Sequence, residues 1–152
     1  WLSAFLQQPA RLVCMDDAAR RAVDPAYAQP GDEVSFADGY PLLVISQAAL
    51  HGLTARLADA GRAPVAMAQF RPNLVVADAD AHAEDDWKRV RIGEVEFDPV
   101  SGVRRVDGEP LNILKDYRRT PAGITFGMNL IPRLGPSGTG TLHVDDAVDA
   151  VE

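Results

Sequence analysis

Apolar residues come in short blocks whose spacing changes along the chain. Trp1, Leu2, Phe5 and Leu6 recur at helical spacing, so the chain opens in the last turns of a helix, which Pro9 ends. Residues 11–15 (Arg-Leu-Val-Cys-Met) read as a short strand. Residues 24–32 carry Pro25, Pro30 and Gly31 without any period and predict an ordered surface loop. Tyr40-Pro41-Leu42-Leu43-Val44-Ile45 is a continuous apolar run of strand length, which predicts burial on both faces. Ser46 then offers a capping hydroxyl. Leu50, Leu53 and Leu57 give the following helix one apolar face as far as Gly61.

Residues 67–76 predict another strand, with Pro72 marking a bulge, an edge or a kink because it removes a ladder donor. Residues 87–97 predict a hairpin around Gly93, with Val90 and Ile92 on one arm and Val95 and Phe97 on the other. Leu111, Leu114 and Tyr117 predict a second helix over 110–119. Residues 124–131 predict a strand interrupted by Gly127, and residues 142–151 alternate around a turn at Asp145-Asp146. Strands outnumber helices, and two helices are inserted between them. The expectation is one α+β domain, mainly β, around an antiparallel sheet able to close on itself.

Length and charge narrow the function. A chain of 152 residues fits one domain with one core. A net charge of −7 disfavours generic nucleic-acid binding but leaves room for one local basic site. One cysteine, Cys14, excludes an internal disulfide framework or a thiolate-rich zinc site, and fits a reducing cytoplasm. No apolar run is long enough to span a bilayer, so no membrane span is expected. Trp1 is an unusual first residue, and further chain is expected upstream.

Most chemistry-bearing residues have plain readings. His82-Ala83-Glu84 resembles half of a zinc-deaminase signature but lacks the following Pro-Cys-x-x-Cys, and reads as a solvated acidic turn. Glu84-Asp85-Asp86 lacks the spaced oxygens of a calcium loop. Residues 135–140 are glycine-rich without the ending of a phosphate loop, and read as a hairpin connection. His51 and His143 have no partner at metal-ligand spacing, and His51 is expected to be exposed. Ser46 has no nucleophile elbow around it and reads as a helix cap. Cys14 reads as a small buried hydrophobe.

Phe70-Arg71-Pro72-Asn73-Leu74-Val75-Val76 differs. An arginine fork suits a phosphate, and an asparagine suits a phosphate or a heterocycle edge. An edge strand with two exposed polar residues explains the pattern equally well.

Four segments in order tip this balance. Asp38-Gly39-Tyr40-Pro41-Leu42-Leu43-Val44-Ile45-Ser46, followed by a helix over 47–57, resembles the start of a MOSC domain. Phe70-Arg71-Pro72-Asn73 resembles that family's central motif. Glu84-Asp85-Asp86-Trp87 with Ile92-Gly93-Glu94-Val95 resembles its next stretch. Phe126-Gly127-Met128-Asn129-Leu130-Ile131, Gly140-Thr141-Leu142 and Val144-Asp145-Asp146 resemble its closing strands. The resemblance runs from about Ala10 to the end. It implies a MOSC-type β-barrel with two inserted helices, filling residues 1–152 as a single domain. Residues 1–10 would end a connecting helix, with a β-rich N-terminal partner domain absent.

Among MOSC domains the chain most resembles amidoxime-reducing components and their bacterial homologues. That implies a molybdenum cofactor, molybdopterin, whose metal also takes a cysteine thiolate. It implies reduction of N-hydroxylated compounds with electrons from a separate redox protein or a fused ferredoxin domain. Carried over by position, Arg71 and Asn73 would hold the pterin phosphate or ring. Asp38, Gly39 and Tyr40 would form a cofactor-contacting turn, with Asn129 nearby. The alternative is a non-catalytic cofactor-binding or sulfur-carrier MOSC module.

One departure bears on that choice. The family continues the strand after the equivalent of Phe97 into a loop bearing the ligating cysteine, and resumes at Asp-Pro-x-x-Gly. Here Asp98-Pro99-Val100-Ser101-Gly102 follows Phe97 at once. The expectation is that a cysteine-bearing loop lies between Phe97 and Asp98, so that their Cα atoms stand beyond the 3.8 Å of a bonded pair.

Overall fold

In a computed structural model, residues 1–16, 18–37, 39–100, 109–120, 123–135 and 138–151 are described. After a short helix α1 (Leu2–Leu6), the first strand is β1 (Leu42–Ser46), followed by α2 (Gln47–Asp59) and β2 (Leu74–Val76). The hairpin β3 (Arg89–Ile92) and β4 (Val95–Val100) leads to α3 (Glu109–Tyr117). Then come the small pair β5 (Arg119–Thr120) and β6 (Gly123–Ile124), and finally β7 (Met128–Arg133) and β8 (Val148–Val151). The main sheet has the order β2-β1-β7-β4-β3-β8. All its pairings are antiparallel except β1 with β2. It forms a curled half-barrel, so the fold is α+β and mainly β, with α2 and α3 as its two inserted helices.

The apolar run at 42–46 becomes the sheet's inner strand because it has partners on both sides and covers on both faces. Val44 joins Val90, Phe97, Met128 and Leu130 on one face. Leu43 and Ile45 pack on the other with Leu53 and Leu57 of α2, Leu114 of α3, Phe70 and Phe126. A third cluster, Val23, Val34, Val100 and Ile131, seats the N-terminal loop against the same sheet. Ser46 ends the strand and caps α2, its Oγ accepting from the Ala49 N–H at 3.3 Å, a contribution of about 1 kcal/mol.

Gly127 interrupts the last apolar block for a steric reason. Its φ is +82°, and a Cβ there would lie 2.6 Å from Ile45 Cγ1 and 2.7 Å from the Val44 carbonyl oxygen. β7 can therefore begin only at Met128.

Several expectations need correction. Residues 11–15 form no strand, and Cys14 is exposed rather than buried. With no apolar partner opposite it, Leu12 is also open to solvent. Residues 67–76 are a 3₁₀ turn (Met67–Gln69) followed by a kink and only three strand residues. The kink falls at Arg71, whose φ is +52°, next to Pro72. Of residues 142–151, only Val148–Val151 pair, and they pair with β3, so the glycine-rich stretch before them is no hairpin connection. Pro136 and Ser137 of that stretch lie outside the described residues.

The expected break after Phe97 is absent. β4 runs without interruption from Val95 to Val100, with Phe97 opposite Pro132 and Asp98 opposite Ile131 in consecutive register. Pairing with β7 holds both residues in one ladder and leaves no excursion between them. Asp98 is further fixed by Arg133, whose Nε donates to its Oδ1 at 2.7 Å. Among the described residues no helix is long and apolar enough to cross a membrane.

Candidate functional site

Sheet register brings the sequence candidates toward one end of β1 and β2. Leu43 pairs with Asn129 on its β7 side. On its β2 side the Asn73 N–H donates to the Leu43 carbonyl at 2.9 Å, extending the parallel ladder by one residue. The Leu43 N–H in turn donates to Asn73 Oδ1 at 2.9 Å. Asn73, Leu43 and Asn129 thus form one row across the sheet, the outer two separated by about 10 Å, two strand spacings. Asn129 is half-buried, between the helix-packed and loop-packed clusters of its face.

The Asn73 amide is oriented by its own carbonyl oxygen, which is committed to Leu43. Its Nδ2 group is left with two donors and no partner among the described residues. Arg71 stands two residues earlier, exposed, with its guanidinium making no hydrogen bond or ion pair among the described residues. Its left-handed backbone is uncommon outside glycine, and such strained positions cluster at binding sites. Fork donors two residues from an oriented amide suit a phosphate or a pterin edge.

Tyr40 and Gly39 precede β1 at this end. Tyr40 packs against the loop cluster and meets Tyr27 edge-on, with centroids 6.2 Å apart. Burial raises its phenol pKa, and Asp24 and Tyr27 add to the effect, so it stays a neutral donor. Arg21 fixes the backbone leading into this turn, Nη1 donating to the Ser35 carbonyl at 2.9 Å and to that of Ala37. Asp38 lies outside the described residues.

A second polar cluster, not anticipated as a unit, lies behind α2. Glu84 was expected in a solvated turn, yet it is fully buried, its Oε1 accepting from the Ser46 N–H at 3.2 Å. The carboxylate stands at the start of α2, where the helix dipole favours negative charge. Next to it the His82 N–H donates to Ser46 Oγ at 3.3 Å. Asp85 forms a two-pronged pair with Arg118, which also donates to the Thr125 carbonyl and hydroxyl. His82 Nδ1, Glu84 Oε2 and the Tyr117 hydroxyl are buried without hydrogen-bond partners among the described residues. Three adjacent acids disguise Glu84 in sequence. The one available signal was the N–H of Ser46, which at a helix start needs an acceptor.

A cavity of about 330 Å³ lies between α2 and α3, lined by Arg56, Asp59, Ala60, Ile113, Asp116 and Tyr117. None of the candidate donors lines it.

The donor set fits only part of a molybdenum cofactor. Arg71 and Asn73 suit its phosphate and pterin edge. The metal's protein thiolate has no counterpart here: Cys14 is the sole cysteine, its thiol contacts the Met15 carbonyl at 3.6 Å, and β4 is continuous. Among the described residues no three His, Cys, Asp or Glu side chains are grouped to hold a metal ion.

The family model for the MOSC domain matches residues 31–149. Mitochondrial amidoxime-reducing component 1 of Homo sapiens is 34% identical, and that of Danio rerio 33%, each over 97% of the chain. Molybdenum cofactor sulfurase of Oryza sativa subsp. japonica is 30% identical over 86% of the chain and 19% of its own length. The chain spans about half the length of the amidoxime-reducing relatives it matches, 50% of the Danio rerio protein and 49% of the human one. The Danio rerio alignment runs to 167 positions against 152 residues here, so that relative carries residues this chain lacks. With a half-barrel sheet, two inserted helices and a family match over most of its length, the chain belongs to the MOSC domain family.

Proposed function

We propose that this chain is a cofactor-holding MOSC module. Arg71 and Asn73 take the phosphate and pterin edge of molybdopterin, with Asp38, Gly39, Tyr40 and Asn129 around it. The observation that carries this reading is the Asn73 amide, whose Oδ1 is spent on the Leu43 N–H while its Nδ2, like the Arg71 fork two residues earlier, has no partner among the described residues. Such donors gain most from an anion that brings several acceptor oxygens at once. Molybdopterin, when bound, supplies the dithiolene sulfurs that hold molybdenum. This chain's residues bind and orient it and add no thiolate from β4.

A second reading is reduction of N-hydroxylated compounds with a β-rich partner domain and an electron-donating redox protein. The similarity to mitochondrial amidoxime-reducing component 1 favours it. It requires a metal-ligating thiolate, and the uninterrupted β4 weighs against that.

The test is to produce the chain in a host that makes the cofactor and to measure pterin and molybdenum per chain. Pterin should be retained by the parent and strongly reduced in Arg71→Ala, with the fold unchanged by circular dichroism. Equal pterin in both proteins would sink the binding reading. Turnover of an amidoxime by the loaded chain with a chemical reductant would replace it with the second.

A further inference from the structure

The polar cluster behind α2 connects to the candidate donors through stacked rings. His82 meets Phe126 edge-on, with centroids 5.8 Å apart and planes at 78°. Phe126 packs on Phe70 at 4.5 Å. Both phenyl rings are buried, Phe126 at 0% and Phe70 at 2% exposure. Phe70 is bonded directly to Arg71, where the backbone enters its left-handed conformation, and Phe126 stands three residues before Asn129. A buried ring anchors the residue that carries it. Moving Phe126 therefore moves the supports of Arg71 and Asn129 together.

Resting on the reading of Arg71 as an anion donor, we propose that His82 is a positioning residue for that donor. Its neutral ring props the Phe126–Phe70 stack, and its protonation releases the stack and weakens anion binding at Arg71.

The surroundings of His82 explain why protonation is disruptive. Tyr117 of α3 covers the ring at 5.9 Å, and Arg56 of α2 lies over the Tyr117 ring at 4.1 Å. Arg118, just after α3, also faces His82, while Glu84 and Asp85 stand on its own 3₁₀ turn. Nδ1 is buried with no acceptor among the described residues, so an added N–H there would be unsatisfied. Burial, then Arg118 and Arg56, lower the imidazole pKa against the opposing pull of Asp85 and Glu84. The neutral ring is the form that fits.

The sign of the effect identifies the mechanism. A histidine acting only through its charge would strengthen anion binding when protonated. Release of the stack does the opposite.

The test uses sulfate, whose charge does not change over the range, titrated by NMR into the full chain at about pH 8 and at a pH low enough for the His82 ring signals to show protonation. Parent affinity should fall about fivefold at the lower pH, at the low end of couplings between sites. His82→Phe keeps a ring without a proton and should bind equally at both values. His82→Ala removes the prop and should bind weakly at both. A parent whose affinity holds or rises at low pH, or a His82→Phe variant that falls as the parent does, overturns the proposal. Loss of sulfate binding in Arg71→Ala verifies the donor separately. If the parent binds no sulfate, the donor reading fails, and the backbone amides of Phe70 and Arg71 decide the coupling. Amide shifts that titrate together with the His82 ring support it, and amide shifts that stay flat overturn it.

Discussion

Asn73 and Leu43 exchange two hydrogen bonds at 2.9 Å, one through the Asn73 backbone N–H and one through its side-chain oxygen. The side chain thus closes the end of the β1–β2 ladder and aims its remaining donors outward. Asn73→Ala leaves the Leu43 N–H without its acceptor and should cost about 1–3 kcal/mol in urea unfolding. Asn73→Asp keeps the acceptor but replaces the free donors with negative charge. It should stay near parental stability and lose anion binding. An Asp variant that binds sulfate like the parent would show that the amide donors do not face the ligand.

Gly127→Ala should be among the most damaging single-methyl changes in the protein. The new Cβ would meet Ile45 and the Val44 backbone, and the +82° φ is strained for any side chain. A loss of about 3 kcal/mol is expected, at the upper range for overpacking. A midpoint within error of the parent would mean that β7 starts elsewhere in solution.

The Arg118–Asp85 pair ties the acidic turn to the loop after α3. The Arg118 side chain is 12% exposed and that of Asp85 31%, so screening is incomplete. Arg118 also serves Thr125, so Arg118→Lys cannot reproduce the fork, and about 1–3 kcal/mol should be lost. A double-mutant cycle with Asp85→Ala should give a coupling of about 1 kcal/mol. Strict additivity would remove the pair from the stability of this corner.

His82 also predicts a pH dependence of stability. Its folded pKa lies below the ordinary 6.5, so between those two values the unfolded chain binds more protons. Its favourable contribution is fully present above 6.5 and is lost as pH falls through the folded value. His82→Phe should flatten the stability profile in that window. A profile identical to the parent's would place the acid sensitivity on another group.

Much of this fold was legible because burial and period agree at 42–57. A continuous apolar run, a serine cap and leucines at helical spacing admit one arrangement, and β1 and α2 follow it. Gly93 and Gly127 likewise mark real breaks, since both have positive φ in places where a Cβ has no room. Residues 11–15 misled because a local apolar run does not reveal whether a partner strand stands opposite. Glu84 misled because its burial depends on the distant Ser46 N–H, 38 positions earlier. The oriented Asn73 amide was foreseeable only as a residue type. Its direction comes from register with Leu43, a property of the folded sheet.

β4 changes character at one peptide bond. Glu96 and Phe97 have neighbours on both sides, Val90 being the last partner on β3, whereas among the described residues Asp98 to Val100 pair with β7 alone. For protein engineering, this bond is a graft point. Any segment spliced in here must leave and return within about 3.8 Å, the span of the peptide it replaces, to keep the β7 ladder in phase. On the side facing away from β7 the β3 ladder ends at Phe97, and Arg89 of β3 reaches Asp98 there through an ion pair at 3.8 Å. Chains of different length can then share one sheet, with added chemistry carried by the excursion while the barrel strands stay where they are.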